Sequence, residues 1–390
     1  MKLAVVASHP IQYHAPLFRL LAEGVDLRVF FAHIPDAARQ GEGFGTPFEW
    51  DIPLTTGYAS EVFAQTLERP RDFAGILRAA SNISSRFASW RPDAILHTGW
   101  HHPGMVAGMI SAIRSGLPLL FRGEANCLGK RAGWKYGIHA RLLAKFDRIL
   151  YIGEANRRYY DRCRVEPGRL KFCPFFADNA RLQSGCAERG RDAVRTGLGI
   201  PAEAVCFLFC GKLEPKKRPL DFARGVAAVP SGIGLVAGDG EHMPRLREMG
   251  ERLRFAGFLN QSRVCEAYAA ADALVLPSDA GEVWGLVVNE AMACGLPCIV
   301  SDLVGCRPDL VIEGVTGFSY PCGDVEALAS RMRVLAGDPA LRAKMGAAAR
   351  GRVSGIYTVE RAAAAVLEAA REAVASFEAD GRSASRGRVS

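Results

Sequence analysis

Ser278-Asp279-Ala280-Gly281-Glu282-Val283-Trp284-Gly285-Leu286-Val287-Val288-Asn289-Glu290-Ala291-Met292-Ala293-Cys294-Gly295-Leu296-Pro297 lies between two short apolar runs, Ala273–Leu276 and Pro297–Val300. Each run has the length of a buried strand, and the stretch between them opens with small and polar residues before turning helical from about Gly285. Gly295 supplies a C-terminal cap, and Pro297 prevents the helix from continuing. Strand, loop, short helix and strand together make one right-handed crossover, the unit that joins parallel strands.

Outward from this unit the same alternation covers the chain. Strand candidates in the first half are Leu3–Ala7, Leu27–Phe31, Ala94–His97, Pro118–Phe121 and Ile149–Ile152. In the second half Val205–Cys210 and Gly234–Ala237 precede the pair already named. Two such sets predict an α/β protein of two Rossmann-like, doubly wound domains, whose ligands lie beyond the carboxyl ends of the strands. We place the domains at 1–178 and 179–355. Val359, Ala363, Val366, Leu367, Ala370, Val374 and Phe377 recur at helical spacing, predicting an amphipathic helix over 356–378. The small, polar and basic stretch 379–390 is expected to be disordered.

At 390 residues the chain suits two domains, and 49% apolar against 23% charged residues is the balance of a globular protein. No apolar run approaches the roughly 18 residues of a membrane span. Met1–Ser8 reads as a first strand and not as a signal peptide, so a cytoplasmic protein is expected. The eleven cysteines are odd in number and sit mostly in apolar segments, which points to buried, reduced thiols and not to a metal site. Charge is uneven. From Arg114 to Lys171 there are 14 Lys or Arg against 5 Asp or Glu, an excess of +9 where the whole chain carries +8. Aromatic residues interleave with this basic stretch, a pattern suited to an anionic membrane surface, a phosphate-bearing acceptor or nucleic acid.

The quoted stretch also carries chemistry. Backbone N–H groups at the start of its helix point toward the strand ends, where a diphosphate can sit. Glu282 in the loop and Glu290 on the second helical turn can accept hydrogen bonds from sugar hydroxyls. Upstream, Gly211-Lys212-Leu213-Glu214-Pro215-Lys216-Lys217 follows the first strand of the second half and carries cations to the same edge. A nucleotide-sugar donor loses a diphosphate, whose growing negative charge needs an offset. The chain contains no Asp-x-Asp pair to hold a metal, so Lys212, Lys217 and the helix start are the candidates for that role.

Glu282-x7-Glu290 in this setting resembles the signature of retaining glycosyltransferases of family 4. The resemblance extends through Gly211-Lys212-Leu213-x3-Lys217, Gly238-Asp239-Gly240, Ser301-Asp302, Gly305 and Gly314-Val315-Thr316-Gly317-Phe318, and covers about 150–345 strongly. It implies a GT-B fold, two Rossmann-like domains facing a cleft, with the C-terminal helix crossing back to the first. It implies metal-independent transfer from a nucleoside-diphosphate sugar, with no cofactor beyond that substrate. By position Glu290 would bind the donor ribose. Glu282 would hold the transferred sugar, with backbone N–H groups around Trp284, Gly285 and Leu286, while Lys212 and Lys217 neutralise the diphosphate.

The chain departs from the family in three places. Lys212 stands where Arg is usual, which keeps the charge and loses the fork. The first loop, Ser8 to Pro16, has no glycine, and Arg122 stands where a His is common. Acceptor-side candidates are His9, His14, His101, His102 and Arg122. A glycan or lipid-linked acceptor, and peripheral contact with the inner membrane face through Arg114–Lys171, follow as expectations. The rivals are a nucleotide-sugar epimerase of the same architecture and a basic nucleic-acid-binding protein, the latter opposed by the assembled donor segments.

Overall fold

The computed structural model describes residues 1–67 and 72–381. They form two compact units. The first comprises Met1–Pro35, Pro53–Pro174 and the chain from Val359 onward; the second comprises Asp36–Ile52 and Phe175–Thr358.

Among the described residues seven strands build the sheet of the first unit: β1 (Lys2–Ala7), β2 (Asp26–Phe31), β3 (Ala59–Val62), β4 (Ala94–His97), β5 (Leu119–Arg122), β6 (Arg148–Tyr151) and β7 (Leu170–Phe172). All pair in parallel in the order β3-β2-β1-β4-β5-β6-β7, with Val5 opposite both Val29 and Leu96. β1 and β4 are buried almost throughout because helices cover both faces, the usual condition of a parallel sheet. One side of the sheet packs Val6, Phe30, Ile95 and Phe121 against Ile83, Phe87 and Phe146. Burying side chains of this size stabilises by about 1.5–3 kcal/mol each.

The helix Val359–Ala379 belongs to this first unit. Its buried Ala362, Val366, Ala369, Ala370 and Phe377 form one stripe, and it packs on the helix His14–Gly24 and on β4 to β7. Glu372 on its outer side pairs with Arg148 at 3.1 Å and with Lys171 at 2.6 Å.

The second unit has six parallel strands among the described residues: β8 (Val205–Cys210), β9 (Gly232–Ala237), β10 (Leu253–Gly257), β11 (Ala273–Leu276), β12 (Cys298–Ser301) and β13 (Gly317–Tyr320). Their order is β10-β9-β8-β11-β12-β13. Phe207 and Phe209 of β8 meet Phe222, Val236, Val275 and Ile299 in its core.

Nine strands were expected and thirteen are found among the described residues. The four additional strands, β3, β7, β10 and β13, are the two edges of each sheet. The first segment boundary falls at Pro174 and Phe175, a few residues before the expected one, and Asp36–Ile52 lies with the second unit although sequence order puts it in the first. Ala379 ends the last helix, so the segment expected to be disordered begins inside ordered structure; its remainder, from 382, lies outside the described residues.

Candidate active site

The strand order of the second unit reverses between β8 and β11, so the loops that follow these strands leave the sheet on either side of one crevice. After β8, Gly211 takes φ +138° and its N–H donates to Ala237 O at 2.9 Å, while Leu213 N–H donates to Asp239 O at 2.9 Å. A Cβ on Gly238 would stand 1.9 Å from Gly211 O. Gly238-Asp239-Gly240 is thus required for backbone to lie on backbone between the loops after β8 and β9. The turn Pro215–Lys217 then delivers Lys217.

After β11 the loop is tied to its neighbour by Asp279 N–H donating to Lys216 O at 2.8 Å. The Lys217 ammonium donates to the Glu282 carboxylate, and the Ser278 hydroxyl donates to the same carboxylate oxygen at 3.2 Å. Both side chains keep about one seventh of their surface exposed, at 14% and 13%. Gly285 turns the chain at φ +98° into the helix Leu286–Ala293, whose start no side chain caps.

Glu290 lies one turn further along and is buried, and its carboxylate accepts from the Tyr268 hydroxyl at 2.6 Å. Burial, together with the charge of Glu290, pushes the Cys210 thiol up to about 12. Trp284 turns its indole away into the core: Nε1 donates to Asn289 Oδ1 at 2.8 Å, and Asn289 Nδ2 donates to Phe175 O at 3.0 Å. Trp284 therefore reaches the loop mouth only through its backbone, as do Gly285 and Gly211.

The two lysines part company. Lys212 donates to the Glu42 carbonyl, and its ammonium stands 5.1 Å from the Phe44 ring centroid. Desolvation there lowers its pKa. The strap Asp36–Ile52 that supplies these partners holds to the second unit by Phe44 and Phe48, with ring centroids 4.9 and 4.3 Å from Phe258. Asn260 Nδ2 also donates to Glu49 O at 2.7 Å. Nothing in the spacing of residues 36–52 announces this docking, because it depends on a pairing some 170–210 positions away. Tyr268 and Ser278 were also missed as site residues. Tyr268 sits at an ordinary buried helix position, whereas Ser278 lies beside the motif and could have been found from its place at a strand end.

In the first unit the order reverses between β1 and β4. His9 follows β1, and burial, then the charge of His102, lowers its pKa. His102 stacks on His33 with centroids 4.4 Å apart, and His33 lies 5.2 Å from His9. His102 Nδ1 also accepts from Gly104 N–H at 3.0 Å, capping the helix Pro103–Arg114. His14 is buried beneath this group; burial, then the charges of Arg122 and His9, brings it down to about 3. Arg122 is 2% exposed and 3.9 Å from Glu124. His101 is exposed and lines a separate recess with Trp100 and Lys135. The five acceptor-side candidates thus divide into His9 and His102 with the unforeseen His33, a buried pair His14 and Arg122, and His101 apart.

Residues 190–352 match the family described as Glycosyl transferases group 1. A D-inositol 3-phosphate glycosyltransferase of Streptomyces griseus subsp. griseus is 34% identical over 309 residues, which are 68% of this chain and 65% of that protein. Glycogen synthase of Mycobacterium tuberculosis H37Rv is 30% identical over 302 residues, 73% of this chain and 70% of its own. Anabaena HepE in complex with UDP superposes with a TM-score of 0.73 at 19% identity, over 94% of this chain and 99% of that one. The same protein in complex with UDP-glucose gives 0.70 at 17%, over 97% and 100%. The likeness of fold, and the relatives in sequence, agree with the order of loops built above: the chain belongs to the group 1 glycosyltransferases, with sheets of the GT-B kind.

Proposed function

We propose that the chain transfers a hexose-type sugar from a nucleoside-diphosphate sugar to a glycan, lipid-linked or small-molecule acceptor, with retention of configuration and without a metal. The observation that carries the reading is the grouping of Lys217, Glu282 and buried Glu290 around the uncapped start of the helix Leu286–Ala293. A nucleotide-sugar donor accords with the UDP and UDP-glucose held by Anabaena HepE.

In this reading Glu290 receives the ribose, Glu282 the sugar hydroxyls, and Lys217 with the helix N–H groups the diphosphate. The acceptor oxygen forms a bond to the anomeric carbon on the face from which the phosphate leaves. The carbon–phosphate oxygen bond breaks, and that phosphate oxygen takes the acceptor proton. No helix of the described residues is long and apolar enough to cross a membrane. Trp134 and Ile138, 65% and 44% exposed beside Lys135, support peripheral contact of the first unit with an anionic bilayer.

Thermal unfolding with saturating UDP, GDP, ADP or NAD tests the donor site. Ligand at about 100 times its Kd adds roughly 2.7 kcal/mol of stability. A shift with one nucleoside diphosphate that disappears in Glu290→Ala is the expected result; a shift with NAD alone overturns the reading. The anomeric configuration of the product, read by NMR, tests retention.

A further inference from the structure

Part of the basic surplus between Arg114 and Lys171 is held by the fold itself. Arg148 and Lys171 are neutralised by Glu372, Arg157 and Arg158 lie 3.7 and 2.9 Å from Glu154, and Arg169 donates to the Leu143 carbonyl at 2.7 Å. These are structural cations. Arg131, Arg141, Arg162 and Arg164 differ: among the described residues none forms an ion pair with a carboxylate, and all four line one cavity of about 720 Å³. That volume is within the range of small-molecule sites.

Two of the guanidinium groups are held from their apolar side. Arg131 lies 5.6 Å from the Tyr136 ring centroid and 4.8 Å from that of Tyr159, and Arg162 lies 5.7 Å from Tyr136. Arg131 Nη1 is buried with no hydrogen-bond partner, a donor that a ligand oxygen would satisfy. The floor is cut by Gly133 and Gly137, one turn apart on the helix Gly133–Leu143, with open space where either Cβ would stand. Glycine inside a helix weakens it relative to alanine, so Gly137 keeps room on the cavity side at a cost in stability. Arg131 also lines a second recess of about 390 Å³ with Trp100, His101 and Ala125, which follow β4 and β5. The cavity is therefore linked to the strand ends where the first unit should hold its ligand.

We infer that this cavity binds a phosphomonoester carried by the acceptor. Calling the ligand the acceptor rests on the glycosyltransferase reading; the anion site does not. Four guanidinium groups without a carboxylate suit a dianion whose oxygens accept forked hydrogen bonds. The group can belong to a free sugar phosphate or to a lipid headgroup.

Calorimetry and vesicle flotation test this on the full chain. The probes are glucose 6-phosphate against glucose, and phosphatidylcholine vesicles with and without phosphatidic acid. At least one phosphorylated probe should bind about tenfold or more tightly than its neutral counterpart, and which one does so identifies the source. The preference should fall by a similar factor in Arg131→Gln/Arg162→Gln and in Gly137→Leu, which fills the floor. Circular dichroism and UDP affinity should stay as in the parent. Overturning results are equal binding of phosphorylated and neutral probes, or a preference that survives both variants. Loss of UDP binding with the phosphate preference intact would sink the donor reading and leave this site standing.

Discussion

Lys217 and Glu282 hold each other: the ammonium at the end of the turn after β8 donates to the carboxylate in the loop after β11, and Ser278 donates to the same oxygen. The pair bridges the two loops that border the switch point, each partner largely shielded from solvent. Removing one partner leaves the other charge desolvated, so the single variants understate how far the two act together. Lys217→Ala should lower kcat by about 30–1,000-fold, corresponding to about 2–4 kcal/mol of lost transition-state stabilisation. Glu282→Ala should do likewise, and the double variant should fall well short of the product of the two. Additive losses in steady-state assays would show that the residues act separately.

Glu290 is a different kind of carboxylate, since it lies inside the protein and takes a hydrogen bond from Tyr268. Tyr268→Phe removes that donor without changing the shape of the ring. The carboxylate should then be less firmly placed and UDP should bind roughly fivefold more weakly, equivalent to about 1 kcal/mol for one hydrogen bond. Glu290→Ala should abolish both transfer and the UDP-induced thermal shift. Titration calorimetry on the two variants separates positioning from direct contact, because an effect of Tyr268→Phe as large as that of Glu290→Ala would place the hydroxyl itself against the ligand.

Lys212 stands against the strap, donating to Glu42 and covering Phe44. Its loss should therefore loosen the strap more than it slows chemistry. Lys212→Ala is expected to reduce kcat less than Lys217→Ala and to speed proteolytic cleavage between Gly41 and Thr46, read by mass spectrometry. Unchanged cleavage together with a kcat loss matching that of Lys217→Ala would return Lys212 to the diphosphate.

The central strands of both sheets were legible because parallel strands covered on two faces write themselves as continuous apolar runs, as Val205–Cys210 does. All four edges were not. Ala59-Ser60-Glu61-Val62 of β3 alternates nothing and is half exposed, and β7 has three partly buried residues including Lys171, which is held by Glu368 and Glu372. β3 and β7 are short, partly exposed and charged, so periodicity has little to read in them; β13, Gly317–Tyr320, is mostly buried but only four residues long. That the loop after β8 and the Glu282–Glu290 segment come to one sheet edge was legible because local chemistry fixes them: a glycine at positive φ, an uncapped helix start and carboxylates eight apart. The partners of those residues were hidden. Tyr268 reaches Glu290, and Phe44 and Glu42 reach Lys212, through tertiary packing, while Trp284, prominent in the motif, gives its side chain to Asn289.

Gly305 illustrates how a distant backbone shapes the motif loop. Its N–H donates to Glu282 O at 3.2 Å, and a Cβ there would come 1.8 Å from Val283 O. Gly305→Ala cannot be absorbed by a side-chain movement and must push the Glu282–Trp284 backbone aside. A displacement on the order of 1 Å can cost about a hundredfold in rate. Near-parent circular dichroism with kcat reduced by that order is the expected outcome. Parent-like kinetics would mean that the loop yields without moving Glu282.

His14 and His97 make stability depend on pH through the first unit. Burial, with Arg122 and His9 adding to it, holds His14 at about 3, and burial holds His97 at about 4 against the pull of its Met105 carbonyl partner at 3.0 Å. The ordinary value is 6.5, so between that pH and the folded values the unfolded chain binds more protons than the folded one. Folding free energy is then fully present above about 6.5 and is lost as the pH falls, at up to about 1.4 kcal/mol per pH unit for each histidine. His97→Gln keeps a donor for Met105 O and removes one titrating group. Urea midpoints between pH 7 and 5 should fall steeply in the parent and less steeply in His97→Gln, by the slope of about one proton. The same slope in both would mean that His97 does not remain neutral in the folded state, and that the loss of stability on acidification arises elsewhere.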